Sequence, residues 1–187
     1  LTAYDIPSGA RVMDIGTGAG FPGIPLLIMQ PDIDLTMVDS TAKKLKYVQS
    51  TVDSLGLIAT TLHTRAEEAG QSKEFREKFD VVCSRAVAAL NVLCEYCLPF
   101  VKVGGYFLAL KGPMAEEELA NAKRAIKILG GEIEDIFSAE IPYTDLSHKI
   151  IIIKKVRQTP MQYPRKAGIP SKTPIDTCYN LKKSARK

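Results

Sequence analysis

The sequence predicts an α/β protein. Its core is a mostly parallel, doubly wound sheet of seven strands, closed by an antiparallel hairpin and covered by helices on both faces. Three observations carry this expectation. Short apolar runs alternate with stretches of helical periodicity from Arg11 to Leu129. A glycine-rich turn joins the first run to the first helix. Two further apolar runs then follow one another with only Pro142–Ser147 between them, too short for a crossover helix, so they pair as a hairpin.

The elements follow in order. Arg11–Ile15 is the first strand and Pro22–Met29 the first helix. Leu35–Val38 is the second strand, ending at Asp39. Thr41–Leu55 puts Leu45, Val48, Val52 and Leu55 on one helical face, with Gly56 as its stop. Thr60–His63 is a short third strand, and a short helix is expected over Ser72–Glu77. Phe79–Ser84 is the fourth strand, Leu90–Val101 a helix and Tyr106–Lys111 the fifth strand. Glu116–Leu129 aligns Leu119, Ala122, Ile126 and Leu129 before Gly130 and Gly131 end it. The hairpin strands are Ile133–Ile141 and Lys149–Val156, and the unbroken apolar run Ile150–Ile153 suits burial on both faces.

A chain of 187 residues fits one domain with a sizeable core, here residues 1–156, followed by a basic, proline-containing tail over 157–187. The first residue is Leu1, in mid-pattern, so a fragment lacking its natural N-terminus is expected. The sequence contains no apolar stretch of membrane-spanning length and no signal-peptide pattern. Residues 1–153 hold 15 Lys/Arg against 20 Asp/Glu, a net −5, while the last 34 hold ten against Asp176 alone, a net +9. Such a tail has the electrostatics of a nucleic-acid contact, although a solvated basic tail would read the same way. Met161, Tyr163, Ile169, Ile175 and Tyr179 favour a segment that docks on something. Cys94 and Cys97 form a C-x-x-C pair without a second pair or a nearby histidine. With Leu90, Leu93 and Leu98 they follow the i, i+3, i+4, i+7, i+8 stripe, so core packing is expected rather than zinc or redox chemistry. No metal is expected, and a reducing cytoplasm is the natural compartment.

Chemistry enters at the turn from Asp14 to Gly23, with glycines at 16, 18, 20 and 23 between a strand and a helix. Such a turn lets backbone N–H groups approach a ligand closely. Gly18–Gly23 also fits G-x-G-x-x-G, and Asp39 suits a ribose-binding acid for either a dinucleotide or S-adenosyl-L-methionine (SAM). The acid at Asp14 tilts the reading to SAM, whose ammonium a carboxylate would attract. The earlier Gly16 and the short chain, without room for a separate hydride-acceptor domain, tilt it the same way. In doubly wound sheets ligands sit at the carboxyl ends of the strands. The residues there are Gly16–Phe21, Asp39 and Ser40, Arg65–Glu67, Ser84–Ala86, and Lys111 with Gly112. Each alone could be a helix cap or a solvated side chain; their convergence on one edge favours a site.

Several of these stretches together resemble a known family: Asp14–Leu26, Val38–Ser40 with Lys43 and Lys44, Arg65–Glu67, Ser84–Ala88, Leu110–Gly112 and Tyr163–Ile175. They closely resemble RsmG, the ribosomal RNA small subunit methyltransferase G family, also called glucose-inhibited division B. The resemblance covers essentially the whole chain. It implies a Rossmann-like SAM-dependent methyltransferase fold and methyl transfer to N7 of one guanine in 16S ribosomal RNA. It further implies SAM contacts from Gly16, Phe21, Ala66, Glu67 and Arg85, with Asp39 at the ribose position; the close backbone approach of the glycine turn adds Gly18. The partner implied is 16S ribosomal RNA or the small subunit. No membrane partner is expected, and the sequence leaves the oligomeric state open, with a monomer as the expectation. The family also has an N-terminal helical segment before the first strand, and Leu1 and Thr2 stand where it ends.

Guanine N7 carries an in-plane lone pair and no proton, so the reaction requires no general base, and positioning can carry it. Arg85 and Lys111 are the candidates for positioning substrate. Phosphate attraction is expected from Lys154, Lys155, Arg157, Arg165, Lys166, Lys172, Lys182, Lys183, Arg186 and Lys187. Truncation after the last strand is then expected to weaken RNA binding and spare the cofactor. The rival readings are a non-enzymatic module that binds RNA or senses SAM, and an NAD-binding domain.

Overall fold

The computed structural model describes residues 4–140 and 147–175. One seven-stranded sheet runs in the order β3-β2-β1-β4-β5-β7-β6. Its strands are β1 (Arg11–Ile15), β2 (Asp34–Asp39), β3 (Thr60–His63), β4 (Phe79–Arg85), β5 (Val101–Lys111), β6 (Gly131–Glu140) and β7 (Ser147–Lys155). The first five are parallel, while β7 pairs antiparallel with both β5 and β6. Strand order therefore reverses between β1 and β4, the crevice where such folds bind ligands.

Apolar residues on successive positions explain the central strands. Val12 and Met13 are both fully buried and point to opposite faces. Met13, Val82 and Phe107 pack with Leu93 of α4 (Leu90–Cys97) and Ile126 of α5 (Ala115–Ile128) on one face. Val12, Leu35 and Val81 pack with Leu27 of α1 (Gly23–Met29) and Val48 of α2 (Ala42–Ser54) on the other. Cys83, Cys94 and Cys97 are free thiols in this core, and burial pushes each thiol up, so they are poor nucleophiles. Cys178 lies outside the described residues.

Several boundaries differ from the sequence expectation. The short helix lies at α3 (Ala66–Ala69), not over Ser72–Glu77. Those later residues turn because the N–H groups of Glu77 and Lys78 donate to the carbonyls of Pro99 and Phe100 at 2.9 and 3.0 Å. Helix α4 stops at Cys97, with Pro99 just beyond its cap, and β5 begins at Val101 rather than Tyr106. A register shift lies between the Phe79–Val101 and Val81–Tyr106 pairs. β6 begins at Gly131 and carries a second register shift between Ile133 and Asp135. The turn at 141–146 lies outside the described residues, as do the tail cations Lys182, Lys183, Arg186 and Lys187 and Tyr179.

The tail differs most. Through Ile175 it lies against the domain and forms the short α6 (Ile169–Lys172). Lys155 is fully buried, donating to Leu98 O at 2.5 Å and to Thr159 Oγ1 at 2.7 Å beside Glu77, and burial lowers its ammonium to about 8. It is therefore a structural cation rather than a phosphate contact. Arg165 is likewise engaged, in an ion pair with the buried Glu95 at 2.7 Å.

Candidate cofactor cleft

The loop after β1 is shaped by backbone geometry. Gly16, Gly18 and Gly20 adopt φ of 71°, 61° and 93°, a region costly for any side chain. The N–H groups of Gly16 and Thr17 both donate to Val38 O at 2.8 and 3.0 Å, tying the loop to the end of β2. A Cβ at Gly16 would stand 2.4 Å from Val87 Cγ2, whereas at Gly18 the nearest atom is Gly16 O at 3.9 Å. Gly16 is thus required by close approach and Gly18 by conformation alone.

Asp14 does not face a ligand, contrary to the sequence expectation. It is fully buried beneath the loop, where Oδ2 accepts from Thr17 Oγ1 at 2.7 Å and from Gly23 N–H at 3.0 Å. Its Oδ1 has no hydrogen-bond partner among the described residues. Burial raises this carboxyl to about 6, against the opposing pull of those hydrogen bonds and of Arg85. The acid that lines the cleft beside this loop is Asp39, whose Oδ2 accepts from Gly18 N–H at 3.1 Å and whose Oδ1 accepts from Thr41 N–H at 2.8 Å. Lys44 lies 3.9 Å from the same carboxylate.

A cleft of about 380 Å³ opens at the carboxyl ends of these strands. Gly16, Asp39, Ala66 and Glu67 line it together, joined by Lys44, Arg65, Val87 and Tyr96. Glu67 is nearly buried, and its Oε1 accepts from the N–H of Gly168 in the tail at 3.0 Å. The tail thus touches the cleft wall, so truncation after the last strand would remove this contact of Glu67.

Phe21 and Arg85 stand outside the lining, exposed, with the guanidinium 5.2 Å from the ring centroid, as a pair over the glycine loop. Lys111 does not reach the surface. Its ammonium donates to Ala88 O at 2.6 Å and to Glu118 Oε2 at 2.7 Å, and that same oxygen accepts from Leu90 N–H at 2.7 Å. Lys111 consequently braces the start of α4 and is no candidate for positioning substrate. Ser84 is also internal, its Oγ donating to Ile15 O at 2.7 Å.

Thr64, Val87 and Tyr96 in the lining were not read as site residues from the sequence. The contact of Val87 with Gly16 leaves no local pattern. Tyr96 carried a weak signal, since it lies off the stripe that buries Cys94 and Cys97.

The set of groups fits SAM. Two acids with free acceptor capacity suit a ribose diol and a cationic ligand, Val38, Ala66, Val87 and Tyr96 offer apolar surface to a flat ring, and the φ-positive loop lets backbone approach. Among the described residues no cluster of three His, Cys, Asp or Glu is placed to hold a metal ion. No helix among them is long and apolar enough to cross a membrane.

The fold defines the class: a Rossmann-like methyltransferase fold. A precorrin-6y C5,15-methyltransferase from Geobacter metallireducens superposes with a TM-score of 0.60 at 14% identity, covering 80% of this chain and 81% of that one. An rRNA methylase from Streptococcus thermophilus gives 0.58 at 13% identity, covering 80% and 89%. Sequence narrows the class. Residues 2–146 match the family described as rRNA small subunit methyltransferase G, and the chain belongs to it. A ribosomal RNA small subunit methyltransferase G from Alkaliphilus oremlandii is 55% identical over 167 residues, covering 88% of this chain and 70% of its own length. The protein of that name from Lactobacillus johnsonii is 51% identical over 173 residues, covering 91% and 72%.

Proposed function

We propose that this chain transfers the methyl group of SAM to N7 of a guanine in 16S ribosomal RNA. The observation that carries the reading is the joint lining of one cleft by Gly16, Asp39, Ala66 and Glu67 at the point where strand order reverses. SAM, when bound, supplies an electrophilic methyl on a sulfonium. Asp39, fixed on both oxygens by backbone N–H groups, accepts from the ribose hydroxyls through its remaining lone pairs. Ala66 and Glu67 flank the adenine, and Gly16 and Gly18 bring backbone against the methionyl end. Phe21 and Arg85, exposed over the loop, bound the mouth through which the base enters.

The target nitrogen brings its own lone pair, so the chain's task is alignment and exclusion of water rather than proton transfer. The exposed Arg65, Arg85, Lys166 and Lys172 supply attraction to RNA phosphates. A substrate carried on the small subunit sets the compartment as the cytoplasm. The test combines calorimetry with mass mapping. SAM should bind saturably and NAD should not, and cells lacking the gene should lose one 7-methylguanine from 16S RNA. NAD binding without SAM binding would remove the cofactor reading. Loss of a methyl from carbon, ribose or an exocyclic amine would remove N7 alone.

A further inference from the structure

Glu95 is misplaced for its own helix. α4 turns Leu90, Leu93, Cys94 and Cys97 into the core, yet Glu95, off that stripe, is also fully buried. What covers it is the tail. Arg165 reaches both carboxylate oxygens: its backbone N–H and Nε donate to Oε1 at 2.8 and 2.9 Å, and Nη2 donates to Oε2 at 2.7 Å. Three residues on, Gly168 donates to Glu67 in the cleft wall at 3.0 Å, and Ser171, whose Oγ donates to Gly168 O at 3.1 Å, stands beside the phenol of Tyr96, a second lining residue. Upstream, Gln71 Nε2 donates to Pro164 O at 2.7 Å, and the Arg76 guanidinium donates to Tyr163 O and Thr159 O at 2.8 and 2.7 Å. The ion pair thus lies between the anchored start of the segment and its two contacts with the cleft.

We infer that residues 163–171 form a strap that sets the adenosine end of the cleft, with Arg165 as a positioning residue acting through Gly168 and Ser171 on Glu67 and Tyr96. The inference rests on the reading of the cleft as a SAM site. Gly168 occupies one acceptor of Glu67 and so fixes which way the other oxygen faces. Removal of the Arg165 side chain leaves Glu95 a buried carboxylate without its cation, a state relieved by lifting the strap. Lifting it frees Glu67 and Tyr96 together.

The test compares Arg165→Ala and Arg165→Lys with Val52→Ala, a core truncation on the opposite face of the sheet. Arg165→Ala should raise the Kd for SAM roughly ten-fold, the scale of one charge-assisted hydrogen bond. Arg165→Lys should recover part of the loss, and Val52→Ala should lower the melting temperature without changing Kd. Exchange of the Gly168 amide provides a ligand-free reading: protection should vanish in Arg165→Ala and persist in Val52→Ala. Wild-type affinity in Arg165→Ala, or equal affinity loss in Val52→Ala, overturns the strap. If the unaltered chain fails to bind SAM, the cleft reading falls, and Gly168 exchange alone then decides whether Arg165 holds the strap to Glu67.

Discussion

At Gly16 two constraints coincide, a left-handed φ of 71° and a Val87 methyl 2.4 Å from any Cβ. Gly16→Ala should therefore cost about 1–2 kcal/mol of stability from backbone strain. It should also weaken SAM binding, since Val87 must move within the cleft wall; thermal melting and calorimetry read the two effects. Asp14 predicts a pH dependence of the opposite sign to an ordinary paired carboxylate. Its folded-state carboxyl titrates near 6 and its reference value is 3.8, so the folded chain holds the proton more tightly. Its contribution to stability is complete below about pH 4 and is lost as pH rises through about 6. Asp14→Asn keeps an acceptor for Thr17 and Gly23 and fills the orphaned position with an amide. Relative to that variant, the wild type should gain on the order of 2–3 kcal/mol between pH 7 and pH 4, measured by denaturant unfolding. A flat difference would mean that the carboxyl titrates normally.

Among the elements, α4 depends on a neighbour for its start. Glu118 of α5 accepts from Leu90 N–H, and Lys111 of β5 holds Glu118 in place. Lys111→Met should cost about 2 kcal/mol by leaving Glu118 and Ala88 O without their cation, a drop of roughly 4–8 °C in melting temperature. RNA affinity and its salt dependence should not change, which separates a brace from a phosphate contact. The strands were legible because a strand buried on both faces is a plain apolar run, as Ile151–Ile153 shows, with Ile150 half-buried before it. The α4–β5 boundary was not, because apolar periodicity continues past Cys97 and only Pro99 marks the stop. The strap left even less trace. Its hold comes from side chains such as Arg76, Gln71 and Glu95 meeting backbone and charge more than 60 residues away in sequence, and no local period encodes that.

For the molecule as a whole, charge divides by exposure rather than by sequence position. The basic C-terminal stretch from β7 onward contains Lys155 and Arg165, whose charges serve the interior, and Lys166 and Lys172, whose charges face solvent. Replacing Lys166 and Lys172 by Gln should reduce the slope of log affinity against log salt for 16S RNA by about 1.4. SAM affinity should stay unchanged, because neither side chain meets the cleft; filter binding across salt concentrations checks the slope. Of the site, the strand-end residues Gly16, Asp39, Ala66 and Glu67 were readable because topology alone sends them to one edge. The displacement of Asp14 and Lys111 to interior roles was not, since a carboxylate or ammonium at a strand end looks the same whether it turns out or in.

The sheet ends at β6, and that end sets how the protein behaves in company. An outer strand offers unpaired backbone groups to any other chain, and here Ile133, Ile136 and Phe137 are each more than a third exposed. Against that stand Glu132, Glu134 and Asp135, with the register shift at Ile133–Asp135 breaking the straight line a second strand would need. Exchanging the three acids for threonine should leave the fold intact and bring on concentration-dependent association, visible by light scattering. Solubility, on this view, is written into the same few residues that finish the sheet.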